Sequence, residues 1–546
     1  MSLDSETEAS RHVPWTSHLD TFVLDRLPAP AAQPEFLFDL PDLAYPEALN
    51  AGEVLLERAL SPGFGARTAF VTDGARLTYG QVLDLANRFA RVLAEDFGVV
   101  PGGRVLLRGV NSPRLFTLWL AVLRVGAIAV TTMPMLRAAE LAAIADKARV
   151  GLAISDEDLI GELETVADSR AWMRLVAFDE LERLAGAKSS DFQPVRTHRD
   201  DPCLLAFTSG TTGAPKACVH YHRDVLAMSD TFARHVLQPL ADDVFAAPPP
   251  IAFTFGLGGA LVFPFRFGAA TSVPSRPGAA ELLRHIERRR VSILFTAPTS
   301  YRQMLLAPSA DLGSLRICVS AGEALDKATS DRWFDRTGLR LVDGIGATEM
   351  MHIFISAAEE AIRPGSVGRP VPGFRACILD DAGGEAPPGQ PGRLAVKGPT
   401  GCRYLEDERQ ANYVSEGWNI TGDTFRQDED GYFWYVGRSD DMIISSGYNI
   451  AAPEVEAALC AHPSVLECAV VAHPDPLRGH VPKAYVVLGR PALDEAALIA
   501  ELQAFVKGMI APYKYPRAIA FVRSLPKTPT GKVMRFKLRE VGGADG

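Results

Sequence analysis

Nine consecutive residues, Thr208-Ser209-Gly210-Thr211-Thr212-Gly213-Ala214-Pro215-Lys216, carry four hydroxyls, two glycines and one lysine. Glycine lets a backbone approach a ligand closely. Hydroxyls and N–H groups in a tight loop surround an anion, and a lysine adds positive charge. The apolar run Cys203 to Phe207 just before it reads as a buried strand. The stretch is therefore a strand-end loop suited to a phosphate. It is not a Walker A loop, because Pro215 stands five positions after Gly210 and no Gly-Lys-Ser/Thr follows.

Four later stretches carry compatible chemistry. "SAGEAL", Ser320 to Leu325, is a small-residue turn after an apolar run. "DGIGATEM", Asp343 to Met350, sets the Thr348 hydroxyl beside the Glu349 carboxylate. Mg²⁺ prefers carboxylate and phosphate oxygens, so this pair suits a phosphate with its metal. "GWNITGD", Gly417 to Asp423, places an aspartate after a glycine turn, where it can accept two ribose hydroxyls. "PKTPTGK", Pro526 to Lys532, is a loop ending on a lysine that can neutralise charge at a reacting phosphorus.

The elements that must hold these stretches are legible too. Thr78 and Gln81 have capping-box spacing, and an apolar stripe at helical period follows. "GRVLLRG", "GLAIS", "MRLVAFD", "CLLAFTS", "VSILFTAP" and "LRICVSAG" read as strands separated by helices. This predicts an α/β layout with largely parallel sheets. Ligands bind at strand ends in such sheets. "LFTLWLAVLRVGAIAV" carries Arg124 and Gly126, and a membrane span needs about 20 apolar residues, so it reads as a buried helix entering a buried strand. Residues 1–45 read as an irregular arm. After about residue 375 a small β subdomain is expected, then a compact α+β segment to the C-terminus. From Lys507 to Arg539 there are nine basic residues and no acidic one, which suits a surface facing an anionic ligand.

With 546 residues, several domains or subdomains are expected. Apolar residues at 47% and charged residues at 22% fit a soluble globular protein. A net charge of -10 argues against nucleic acid as a partner. The seven cysteines show no metal-ligand spacing and fit a reducing compartment. The polar, acidic start is no secretory signal. A cytoplasmic location without membrane association is expected.

Taken in order, "TSGTTGAPK", "DGIGATEM", "GWNITGD", "GRSDDMIISSGYNI" and "PKTPTGK" resemble the successive core motifs of the adenylate-forming superfamily. That superfamily contains acyl- and aryl-CoA synthetases, nonribosomal peptide adenylation domains and firefly luciferase. The resemblance covers about residues 50 to 540. It implies a large N-terminal domain (1–439), a small mobile C-terminal domain (440–546) and a two-step reaction. A carboxylate attacks the α-phosphorus of ATP, and coenzyme A then displaces AMP. By position, Thr208, Ser209, Gly210, Thr211, Thr212, Gly213 and Lys216 become the loop over the β- and γ-phosphates. Gly322, Glu323, Asp343, Gly344 and Ile345 line the adenine, Thr348 meets the α-phosphate and Glu349 the Mg²⁺. Asp423 and Arg438 bind the ribose, Asp440 is the hinge, Gly447 borders the pantetheine tunnel and Lys532 bridges carboxylate and α-phosphate. The resemblance also allows a homodimer.

Within the superfamily, "PPIAFTFGLGG" has Phe253 where a histidine is usual, a departure found among aryl-CoA ligases. "GIGATEMMHIF" resembles benzoate-CoA ligases, and "DLAYPEALNAGEVLLE" resembles 2-aminobenzoate-CoA ligases. The resemblance implies an aryl pocket of Phe253, Thr254, Phe255, Gly346, Met351, His352 and Ile353. Flat apolar walls suit an aryl ring, and the Thr254 hydroxyl suits an ortho amino or hydroxyl group. The expected activity is an ATP- and Mg²⁺-dependent aryl-CoA ligase for benzoate or 2-aminobenzoate. The alternatives are another carboxylic acid or a carrier protein as acceptor.

Overall fold

Thr78 caps the helix Tyr79–Arg91: its hydroxyl accepts from the Gln81 N–H, and the Gln81 side chain accepts from the Thr78 N–H. This is the reciprocal pairing that the spacing predicts. The computed structural model that contains it describes all residues except 1–14, 209–214, 275, 277, 439–441, 446–447, 476–478, 491–493, 511, 528–532 and 544–546. The helix Pro113–Arg124 is buried continuously from Leu115 and leads into the buried strand Ile128–Thr132. Among the described residues no helix is long and apolar enough to cross a membrane.

The fold is mixed α/β. A six-stranded sheet runs Arg174–Ala177, Leu152–Ser155, Arg104–Arg108, Ile128–Thr132, Pro202–Thr208, Lys216–Tyr221. Its neighbours are parallel until the last pair, an antiparallel hairpin whose connection is the hydroxyl-rich loop. A nine-stranded sheet has a parallel centre, including Ile293–Thr296, Ile317–Ala321 and Leu341–Gly346, with antiparallel strands at both edges. The Val/Ile/Leu-rich centre strands are buried, as parallel sheets covered on both faces require.

An antiparallel β subdomain follows, built from Arg375–Leu379, Gly392–Lys397, Val414–Ser415, Trp418–Gln427 and Phe433–Arg438. Trp418–Gln427 is one continuous strand of ten residues, where the sequence suggested a turn before Asp423. Gly422, at φ +77°, and a register shift between Thr424 and Phe425 bend the strand without ending its pairing. The chain from Ile443 onward builds its own apolar cores. There the basic stretch departs from expectation. Lys514 pairs with Glu454 at 2.6 Å, Lys527 with Glu467 at 2.6 Å and Arg535 with Glu456 at 2.8 Å. A third of those nine cations are thus neutralised by acids from earlier in the same segment.

Candidate active site

The strand Leu341–Gly346 ends on a short 3-10 turn, Thr348–Met350, at the C-terminal edge of the parallel sheet. Gly346 is required here: a Cβ would lie 2.7 Å from the His352 carbonyl oxygen. Just past the turn, Met351 holds φ +69°. Such a conformation costs on the order of 1–3 kcal/mol outside glycine and persists only where neighbours fix it.

Three hydrogen bonds fix this turn, one per residue. His220 Nε2 lies 2.8 Å from the Thr348 carbonyl and so carries its proton there. The Tyr404 hydroxyl donates to the Glu349 carboxylate. The Thr400 hydroxyl donates to the Met350 carbonyl at 2.7 Å. Thr400 and Tyr404 lie on an extended strap that pairs with the hairpin strand Lys216–Tyr221: Val219 N–H donates to the Arg403 carbonyl, and Leu405 N–H to that of Ala217.

Alternation along the strap sends Tyr404 toward Glu349 and Arg403 the other way. The Arg403 guanidinium, fully buried, donates to Asp224 at 2.8 Å and lies over the Phe36 and Tyr221 rings. Burial works to raise the Asp224 carboxyl, but Arg403, His220 and Arg223 together pull it down to about 2. Asp224 Oδ2 stands 3.8 Å from His220 Nδ1. A buried chain of charge thus backs the imidazole that holds Thr348. On the other side, Lys216 Nζ donates to the Tyr404 oxygen at 3.1 Å. Burial, and next the Glu349 charge, push the Tyr404 phenol far up, so it remains a donor.

The remaining nucleotide-side residues fall as follows. Thr208 and Lys216 face each other in register at the hairpin end; Ser209, Gly210, Thr211, Thr212 and Gly213 lie outside the described residues. Gly322 has φ +91°, and Glu323 accepts from the Thr299 hydroxyl (2.7 Å) and N–H (3.2 Å). Asp343 Oδ1 is shielded and has no partner, although the residue is only half-buried. Burial pushes that carboxyl up to about 7, against a weaker pull from the Gly344 backbone and Ser320. Gly344 and Ile345 continue the strand, in register with Ser356 and Ile355. Asp423 and Arg438 are direct cross-strand partners. Asp440, Gly447 and Lys532 lie outside the described residues.

Four residues past Thr348 the surroundings change. His352 is 3% exposed, and neither ring nitrogen makes a hydrogen bond. Phe232 stacks on it at 5.4 Å, Phe263 meets it edge-on at 4.7 Å, and Phe255 lies tilted at 5.8 Å. Burial pulls the imidazole down to about 3, with the Phe255 backbone opposing weakly, so the ring is neutral near pH 7. Gly258 makes room for it: a Cβ there would lie 2.6 Å from His352 Nε2. Thr254 and Met351 are buried beside this cage, and Ile353 packs where a Cβ on Gly344 would meet it at 2.7 Å. Phe253 caps the helix Thr254–Leu257 by its backbone and is not among the rings on His352.

A hydroxyl–carboxylate turn at a strand end beside an aromatic cage is the arrangement expected of an adenylating ligase, and the chain belongs to the AMP-binding enzyme family, whose model matches residues 58–403, with the family's C-terminal domain matching 454–532. It is 35% identical to the benzoate–CoA ligase of Thauera aromatica over 517 residues, 91% of this chain and 97% of that one. It is 33% identical to the mitochondrial acyl-coenzyme A synthetase ACSM3 of Mus musculus over 485 residues, 84% of this chain and 82% of that one. Among solved structures, the anthranilate CoA ligase AuaEII in complex with anthranoyl-AMP superposes with a TM-score of 0.89 at 34% identity, covering 93% of this chain and 100% of that one. A benzoate CoA ligase from Burkholderia xenovorans gives 0.82 at 33% identity, covering 90% and 99%. The activity class is therefore acyl- or aryl-CoA ligation with formation of AMP.

Sequence reasoning missed His220, Arg403, Tyr404 and Phe232. Arg403 and Tyr404 act only through a strap that pairs across some 180 positions of chain, His220 reaches Thr348 across 128 positions, and Phe232 reaches His352 from a distant helix. Tyr404 and Tyr413, 5.9 Å apart between rings, are the local signal that could have marked the strap region.

Proposed function

We propose that this protein is an ATP-dependent aryl-CoA ligase for benzoate or 2-aminobenzoate, with a domain boundary at 439/440. The observation that carries the reading is the buried His352 imidazole, with both nitrogens unpaired inside a cage of phenylalanines. Leaving a buried polar group unpaired costs about 1–3 kcal/mol. A ligand that meets it recovers that cost: an aryl acid brings the flat ring, and 2-aminobenzoate adds an ortho donor. Thr254, at the start of its helix, is a second polar contact for the same substituent.

In this reading Thr348 orients the α-phosphate and Lys216 balances phosphate charge at the hairpin end. Glu349 fits a Mg²⁺ ion: it offers hard carboxylate oxygens in a position held by the Tyr404 hydroxyl, and Mg²⁺ is usually bound by one or two carboxylates plus substrate phosphates. Mg²⁺ would supply charge neutralisation at the phosphates. Asp423 and Arg438 hold the ribose, and Gly322, Glu323, Asp343, Gly344 and Ile345 line the base. Lys532 draws the acid's carboxylate to the α-phosphorus, so that the new C–O–P linkage forms as pyrophosphate leaves. Asp440 serves as the pivot between half-reactions, and Gly447 leaves the thiol a path to the adenylate.

The test is acid-dependent pyrophosphate release over a panel of benzoate, 2-aminobenzoate, acetate and medium- and long-chain acids, followed by transfer to CoA. Benzoate-sized acids are expected to exceed acetate by several orders of magnitude in kcat/KM, at about 0.8 kcal/mol per buried methylene equivalent. Equal or better use of straight-chain acids would remove the aryl assignment.

A further inference from the structure

Behind the aromatic cage lies a second constellation that the chemistry above does not use. Asp230 is completely buried. It accepts from the Tyr45 hydroxyl at 2.9 Å, from Arg234 at 2.8 Å, and from Nε and Nη2 of Arg266 at 3.0 Å each. Four hydrogen bonds thus converge on one shielded carboxylate.

Its placement explains what it holds. Asp230 belongs to a π-helical segment, Ser229–Leu237. Such turns are rare in proteins and frequent near functional sites. Two positions further on, on the opposite side of the segment, Phe232 stacks on His352. Arg266 belongs to the helix Phe263–Phe267, and Phe263 of that helix meets His352 edge-on. The Asp230–Arg266 pair therefore fastens together the two elements whose aromatic rings wall the imidazole. Tyr45 adds the N-terminal arm. That arm also meets the π segment at Asp42, which lies 3.3 Å from Arg234 and 3.8 Å from His235.

We propose that Tyr45, Asp230 and Arg266 form a positioning clamp that sets the selectivity of the acid-binding pocket by fixing Phe232 and Phe263 against His352. The proposal rests on the reading of His352 as part of that pocket. None of the three residues touches substrate. They act through the rings, so loosening the clamp changes which acid fits while leaving nucleotide binding alone. The arm thereby becomes part of the specificity apparatus, although it contributes no atom to the pocket.

The experiment compares wild type, Tyr45→Phe, Asp230→Asn, Phe232→Leu and the double variant Tyr45→Phe/Phe232→Leu. The readouts are kcat/KM for 2-aminobenzoate over benzoate in pyrophosphate release, KM for ATP, and Tm. Asp230→Asn should shift the acid ratio by roughly tenfold, the scale on which apolar pockets discriminate near-isosteres. Tyr45→Phe, which keeps the ring and removes one hydrogen bond, should shift it less and in the same direction. KM for ATP should stay at the wild-type value in both. The double variant should shift the ratio by less than the sum of the two single variants, because part of the clamp's action passes through that ring. Should Asp230→Asn fail to fold, Tyr45→Phe and the double variant still decide. An unchanged ratio in folded Tyr45→Phe, additive shifts in the double variant, or equal changes in acid ratio and ATP KM would each overturn the clamp. If wild type uses no aryl acid, the substrate reading fails separately, and the ratio is then taken between two adjacent chain lengths of the acid it does use.

Discussion

The two ends of the site are built on opposite principles. At Thr348–Met350 every residue of the turn is hydrogen-bonded to a partner, and the partners are themselves backed by Asp224, Arg403 and Lys216. At His352, a few residues along, a polar ring sits among phenylalanines with no hydrogen bond at all. The first arrangement is over-determined and suits chemistry that must not vary. The second is defined by shape, leaves its polar group to a ligand, and can be retuned by changing a ring. A strained residue, Met351 at φ +69°, joins them.

The largest effect should come from cutting the polar end. Arg403→Ala would leave Asp224 buried without its main counter-charge, and breaking a buried pair from one side costs about 3–5 kcal/mol. Denaturant unfolding should show that loss. A loss under about 1 kcal/mol, the scale of an exposed pair, would mean that the network is not what stiffens the turn.

An intermediate effect is expected at Asp343, whose shielded Oδ1 has no hydrogen-bond partner. Its carboxyl rises from 3.8 to about 7 on folding. The folded state then holds a proton that the unfolded chain releases between those values. Stability should therefore fall as pH rises through that window, by at most about 1.4 kcal/mol per unit. Asp343→Asn should flatten this slope. An identical slope in the variant would assign the dependence to other groups.

The smallest stability effect, and the most telling, is His352→Leu. Removing two unpaired nitrogens offsets the lost ring contacts, so unfolding free energy should change by about 1 kcal/mol or less. In the proposed reading, kcat/KM for 2-aminobenzoate relative to benzoate should nevertheless fall in the pyrophosphate assay. A loss of stability as large as that of Arg403→Ala would erase the contrast between the two ends.

What the sequence made legible follows the same division. The hydroxyl–carboxylate pair and the alternating strands are local patterns, and a short window carries them. The clamp on Asp230 and the support of Thr348 by His220 join segments some 130 to 185 positions apart, so no local window contains them. The basic stretch misled for a related reason: its partners Glu454, Glu456 and Glu467 lie 60 to 79 positions earlier in the chain, and only the fold brings them together. Gly422 looked like the end of a strand because glycine usually marks a turn, whereas here cross-strand pairing on both sides carries the chain through.

The strap from Thr400 to Leu405 has an evolutionary corollary. It works as a reading frame, with odd and even positions delivered to different chambers: Arg403 to the buried acid beneath, Tyr404 to the Glu349 carboxylate. Many substitutions preserve that parity, but one residue inserted between Gly398 and Arg403 would seat a permanent cation against Glu349, and one residue deleted there would leave Asp224 facing a phenol. Length in this six-residue stretch should consequently be more constrained than identity, and insertions in relatives should fall beyond the strap, after Glu406, where the chain returns to the surface.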